Sequence, residues 1–371
     1  VYPLSAAANT AESRFDLSLD PGSLDPDVPV NDTVYVDPVN GTADGEAGNA
    51  NKPFQTIDQA IAAALALLPG PTNQIGIVAR PGPYIFSGSL PSYCHLYSSG
   101  GYNVTTIQAA RPTEAIVELS ANSTLRGFTL TGANGAGGVA LLCEQEGVAR
   151  VWDCQIIECS RGVRVAGDWV RLLADGVIPL RPVAGSALDE WFVVEGNGYL
   201  LAARPFCSGT AASPIGKCFV CNEGTLIISE FTFEAAYVGI EAAGGIVYVT
   251  NGQMVGCGQG VSLPGGAIAT VSLALIAFFG CSQDIQNDSA SPIYIEGIEA
   301  DETKIQSAAP IRGTRHNRNP VAAQGMTCDG SLNVGSFLGG AQLSTGGGGP
   351  RIAGMLCYTH DGAGAWVDAV S

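Results

Sequence analysis

The sequence predicts an all-β solenoid of short parallel strands stacked turn upon turn, and three observations predict it. Glycine fills 49 of 371 positions, nearly twice the usual ~7%, without a Gly-X-Y period, so turns are frequent and strands short. A motif recurs: Gln155–Val163 (QIIECSRGV) is echoed by Gln253–Val261 (QMVGCGQGV), by Thr232–Ile240 (TFEAAYVGI) and more loosely by the segment ending at Gly138-Val139. Its marker glycines at 138, 162, 239 and 260 are 24 and 21 residues apart within each pair, and a period of roughly 20 to 30 residues marks a solenoid. The composition is 46% hydrophobic and only 14% charged, enough to bury a sizeable core and the reverse of a disordered chain.

Equal offsets in a repeat face the same way. Val139, Val163, Ile240 and Val261 are therefore expected at equivalent inward positions, each beside a glycine corner that needs φ > 0. Cys159 and Cys257 share an offset and belong to an inward column as small hydrophobes. The apolar stretch from Leu273 to Ile285 fits one further step.

Residues 1–30, with Asp16, Asp20, Asp25, Asp27 and four prolines, read as an extended arm: a tether to a larger assembly or a disordered terminus. Thr33–Val36 reads as a strand, and Asp37–Gly41 as a turn. From Thr56 to Leu68 apolar residues fall at helical spacing, ending at Pro69-Gly70-Pro71. Ile75–Ala79 and Pro81–Phe86 follow as strands.

The stretch VYVDPVNGTADGEAGNANKPFQTIDQAIAAA followed by ARPGPYIF resembles the opening segment of right-handed parallel β-helix proteins of the pectate-lyase-like superfamily: strand, loop ending in Pro-Phe-x-Thr-Ile, capping helix, and a Pro-Gly-x-Tyr turn into the first coil. The likeness spans about 55 residues. It implies the fold, and a membership that includes polysaccharide lyases, glycoside hydrolases, adhesins and viral spike and fibre proteins. It does not fix the chemistry. On this reading residues 31–300 form the β-helix behind the capping helix. Residues 168–222 are irregular coils in which the glycine marker is lost but strands persist at Trp169–Leu173, Trp191–Glu195 and Tyr199–Ala203. The regular part ends near Ser291–Ile295, and residues 301–371 form a small antiparallel β tip. Its Gly364-Ala365-Trp366-Val367-Asp368 is similar to hairpins that close viral fibre proteins.

A formal net charge of −17 argues against nucleic acid and anionic membrane surfaces. No apolar run reaches the ~18 residues of a membrane span. Val1-Tyr2-Pro3-Leu4 shows neither Met nor a basic n-region, so no intact signal peptide is expected. Eleven cysteines are too few for a disulfide scaffold, and an odd number leaves at least one thiol free or paired with something outside the chain.

Polysaccharide cleavage on such a fold uses paired carboxylates or carboxylate-held calcium. The candidates are Asp189 with Glu190, Asp153 with Glu158, and Glu144 with Glu146 at a turn. Zinc at Cys218-Phe-Val-Cys221 would need further ligands, Cys207 being the near one; a buried structural pair is the alternative. The three histidines, His95, His316 and His360, have no metal spacing, and no cofactor is implied. His316 sits in the one basic cluster, Arg312–Arg318, which fits an acidic or glycan partner or a solvated loop. Asn31, Asn40, Asn103, Asn122 and Asn287 begin N-x-S/T sequons. The leading expectation is a non-enzymatic structural component of a virion (spike, fibre or capsid-associated), at the virion surface. It would be a homotrimer that meets other virion proteins through its arm, with a host glycan or receptor as a further partner. The alternatives are a secreted polysaccharide-degrading enzyme and a surface adhesin.

Overall fold

The computed structural model describes residues 30–168, 170–180, 190–209 and 215–317, together with four short strands between 351 and 368. The arm apart from Val30, and Asp189, lie outside the described residues.

The chain is a right-handed parallel β-helix with three faces. The first face starts with Asp32–Val36, Ile75–Ala79, Cys94–Ser98 and Thr124–Arg126. The second starts with Gly82–Phe86, Thr105–Ala109 and Thr129–Thr131. Towards the C-terminal end single long strands, such as Gly244–Val255 and Ile268–Phe279, bend round the corner and serve both faces. The third face is a ten-stranded sheet running from Gly88–Leu90 to Ile305–Ser307.

On the third face Val117, Leu141, Val163, Phe192, Phe219, Ile240, Val261 and Ile285 occupy successive rungs, and all are buried. Three of the four expected equivalents, Val163, Ile240 and Val261, share this column. Val139 does not: it pairs with Arg161, and Leu141 holds the rung. The looser motif copy is out of register by two, because Gly138 belongs to a turn closed by its N–H on the Gly135 carbonyl.

The marker glycines answer a different need from the expected one. Gly162, Gly239 and Gly260 are absent from the left-handed region. A Cβ on Gly260 would lie 2.5 Å from the Phe278 ring, and one on Gly162 would lie 2.4 Å from the Trp191 carbonyl oxygen. They are glycines because the neighbouring turn and an interior side chain, Trp191, Met254 or Phe278, leave no room for a Cβ. The left-handed corners lie elsewhere. Gly127, Asp153, Gly176, Arg204, Glu230, Asn251, Leu275 and Gly297 follow one another between the first and second faces, each with φ between 49° and 80°. The corner N–H groups still bond to the next turn, as in Asp153 to the Asp175 carbonyl at 3.1 Å and Arg204 to that of Ser229 at 2.9 Å. Satisfied backbone lets five residues with side chains bear a conformation that costs each about 1–2 kcal/mol.

Strands at Val170–Asp175, Glu190–Glu195 and Tyr199–Ala203 carry the ladder through the irregular region. The step lengthens there: Phe192 is 29 residues beyond Val163, and Phe219 is 27 beyond Phe192, whereas Ile240 is 21 beyond Phe219. Phe192 and Phe219 stack with centroids 4.3 Å apart and planes 3° apart, and the stack continues through Phe233 at 5.2 Å.

The helix runs Ile57–Ala66, capped by a reciprocal box between Thr56 and Gln59. It buries Ile57, Ala60 and Ala64 at the N-terminal end of the shaft. Leu65, in the last turn, is exposed, and so is Leu68, which lies past the end of the helix with φ 56°. Parallel pairing runs past residue 300: Ile311–Asn317 adds to Ile293–Ala300. Further on, Arg351–Ile352 pairs antiparallel with Met355–Leu356, and Tyr358–His360 with Trp366–Asp368.

Candidate functional site

The outward side of the third face carries a groove of about 380 Å³. Glu118, Leu142 and Arg164 stand on consecutive rungs along it. Gly88, Ala115 and Val139 supply small or apolar floor, and Ser87, Arg111 and Glu114 the rim. The Ser87 hydroxyl accepts from the backbone N–H of Ala110 and Arg111 at 3.1 and 3.3 Å, fixing the rim loop. Arg111 pairs with Glu114 at 2.7 Å. Arg164 donates through Nε to Glu195 at 2.8 Å and through Nη1 to Glu144 at 3.2 Å. The result is a shallow trough lined by the side chains of Arg111, Glu114, Glu118 and Arg164, both arginines already paired, and suited to hydroxyl-bearing ligands.

A second chain of charge runs beside it. Arg161, Glu190 and Lys217 occupy one register column. Glu190 lies 3.9 Å from Arg161 and 3.8 Å from Lys217, and Lys217 reaches Glu241 at 2.8 Å. Glu190 is thus a brace between turns. Asp153 and Glu158, offered as an acid pair, sit at the two left-handed corners bracketing the strand Gln155–Ile157. Each side chain is at a corner of the shaft, where Asp153 meets Arg126 at 3.5 Å. The structure does not bring them together across a substrate cleft. Glu144 is engaged by Arg164.

Cys207 and Cys218 do meet: their thiols hydrogen-bond in the core, and burial pushes Cys218 well up. Cys221 lies on another rung position, between Val194 and Ala242, with its thiol raised by burial to about 12. Among the described residues no group of three or more His, Cys, Asp or Glu converges as a metal site. His95 is buried with Nε2 on Gln74 Oε1 at 2.8 Å, and burial, with a smaller contribution from Arg150, lowers its pKa to about 4. The side chains of His316 and His360 lie outside the description. Of the sequons, Asn31, Asn40 and Asn103 are exposed, whereas Asn287 is buried with Nδ2 on the Ser291 carbonyl at 2.8 Å and is closed to a glycan.

Sequence reasoning missed the groove. Its residues come from four turns, and no spacing in the chain announces that Glu118, Leu142 and Arg164 are neighbours. What the sequence did carry was the charge on strands otherwise apolar.

No family model matches the chain, and no curated protein matches it. Among solved structures it is similar to pectin methylesterase PemA from Erwinia chrysanthemi, at 14% identity and a TM-score of 0.43, covering 76% of this chain and 93% of that one. A pectin methylesterase in complex with a hexasaccharide is similar at 13% identity and a TM-score of 0.44, with the same coverage. A Geobacillus virus E2 protein, open reading frame 18, is similar at 11% identity and a TM-score of 0.31, covering 76% of this chain and 60% of that one.

Proposed function

We propose that this protein is a non-enzymatic structural component of a virion, a spike, fibre or capsid-associated protein, whose third-face groove contacts a host glycan or receptor. The observation that carries the reading is the use made of the outward carboxylates. Glu144 and Glu195 are joined through Arg164, and Glu190 and Glu241 through Lys217. Each ion pair spans turns, so these charges brace the shaft along its axis. A glycosidase needs two carboxyl groups facing one bond across roughly 5–10 Å, and the paired candidates Asp153 and Glu158 point from separate corners instead.

The likeness of Gly364-Ala365-Trp366-Val367-Asp368 to hairpins that close viral fibre proteins supports the virion setting. So does the change from a parallel ladder to antiparallel hairpins, one of which contains Trp366. In this reading the copies form a homotrimer and residues 1–30 anchor it to other virion proteins. The test is twofold. Purified protein is incubated with pectate, alginate and capsular polysaccharides and assayed for reducing ends and unsaturated products, with none expected. Particles from the native source are imaged with an antibody against residues 225–300, with label expected on them. Product release that Glu190→Ala abolishes would overturn the reading in favour of a polysaccharide-degrading enzyme.

A further inference from the structure

The nine described cysteines are all buried, yet they are not equivalent. Cys154, Cys159 and Cys257 turn their thiols to carbonyls two residues back, those of Trp152, Ile157 and Val255. Cys207 and Cys218 meet across the interior from different faces of one turn. Only Cys257 and Cys281 face each other on adjacent rungs among these. The Gly256 N–H bonds to the Phe279 carbonyl at 2.7 Å and the Ser282 N–H to the Cys257 carbonyl at 2.9 Å, which sets the two residues side by side. Adjacent parallel strands stand ~4.8 Å apart, inside the 4.4–6.8 Å Cα window of a disulfide. The Cys257 thiol also donates to the Phe233 carbonyl at 3.9 Å and the Cys281 thiol to the Met254 carbonyl at 3.5 Å, so closing the bond exchanges these long contacts for an S–S link between the two rungs.

We propose that Cys257 and Cys281 close a disulfide tying one turn of the shaft to the next, made by exchange with a small-molecule disulfide such as oxidised glutathione while the C-terminal turns are still open. While those turns are open neither thiol is buried, and the exchange begins with the thiolate of either cysteine. With Cys281 as the first nucleophile, its sulfur bonds to one glutathione sulfur and expels the other glutathione as a thiolate, which takes the proton Cys281 has lost. Cys257 then gives up its proton and attacks the Cys281 sulfur, releasing the second glutathione as a thiol. Two protein thiols are oxidised and one glutathione disulfide is reduced to two thiols. Closing a loop of this length shifts the folding equilibrium by roughly 100-fold.

The full chain is refolded from denaturant in a reduced and oxidised glutathione mixture and measured by intact mass and by peptide mapping without reductant. The expected product is lighter by two hydrogens, with the Cys257 and Cys281 peptides joined. It also unfolds at higher denaturant than the same sample after reduction. Cys257→Ala and Cys281→Ala each abolish the mass loss, and Cys207→Ala does not. The peptide map of the unaltered chain needs no variant to fold. Both cysteines recovered as free thiols, or a mass loss that survives in Cys257→Ala, would overturn the proposal.

Discussion

Asp37 shows how much one side chain does at the start of the shaft. It is nearly buried, which by itself would raise its pKa. Backbone N–H groups of Asn40 and Val39, the Asn40 amide and Arg80 outweigh that and hold it at about 2, against an ordinary 3.8. A carboxylate depressed on folding contributes stability above its unfolded pKa and loses it as the pH falls through the folded one. The window is therefore pH 3.8 down to about 2, and the contribution is about 2 kcal/mol. Denaturant unfolding at several pH values checks this: Asp37→Asn is expected to be less stable than the parent at pH 5, with the gap closing near pH 2. A gap unchanged across that range would remove the carboxylate from the account. The turn Asp37–Gly41 was legible in the sequence because Val39 and Asn40 are local, whereas the Arg80 partner, 43 residues on, was not. Gly260 was legible as important but not for its reason. The repeat marks the position, whereas the constraint is a Phe278 ring 18 residues further on. Gly260→Ala is expected to cost about 1–3 kcal/mol, the usual toll of overpacking, in a protein whose φ at that site any residue could adopt. An alanine variant as stable as the parent would show that the ring moves aside freely.

Elements repeat this contrast between local and distant causes. The helix was readable because its cap, its apolar spacing and its Pro-Gly-Pro stop lie within 16 residues of sequence. Its box between Thr56 and Gln59 closes with Thr56 Oγ1 accepting from the Gln59 N–H at 3.2 Å. Thr56→Ala is expected to cost about 1 kcal/mol, read as a lower unfolding midpoint, with Thr56→Ser retaining it. The long turns were harder. Their strands were visible, but the glycine marker that times the others is replaced by Trp191 and Cys218 at the same rung position. Larger side chains fill the interior where glycine is missing, and Phe192, Phe219 and Phe233 stack through this widened section. Phe219, in contact with rings on both sides, is expected to be the most sensitive of the three. Phe219→Ala should cost about 3–5 kcal/mol. A loss below about 1 kcal/mol would mean the neighbouring turns collapse into the gap.

Across the whole molecule, charge is distributed unevenly over the faces. The third face carries the ion-pair chains, while the first face, from Thr225 to Tyr294, turns outward Thr225, Ile246, Tyr248, Thr270, Ser272 and Tyr294, with Glu296 the one carboxylate at the edge of this strip. Ile246 and Tyr294 are exposed. Copies that each carry a net charge of −17 repel one another wherever their charged surfaces meet, so association is cheapest through a surface poor in charge. That makes this half of the first face the contact expected in the proposed homotrimer, since identical chains associate with closed symmetry. Light scattering at micromolar concentration is expected to give three times the 38.0 kDa of one chain. A carboxylate placed on the strip, as in Ile246→Glu or Ser272→Glu, would face its counterparts in the other copies. Either variant is expected to shift the protein to a monomer while leaving its circular dichroism unchanged, and added salt is expected to restore part of the association by screening. A parent protein that is monomeric under these conditions removes the trimer, and a trimer indifferent to both substitutions moves the contact to another face.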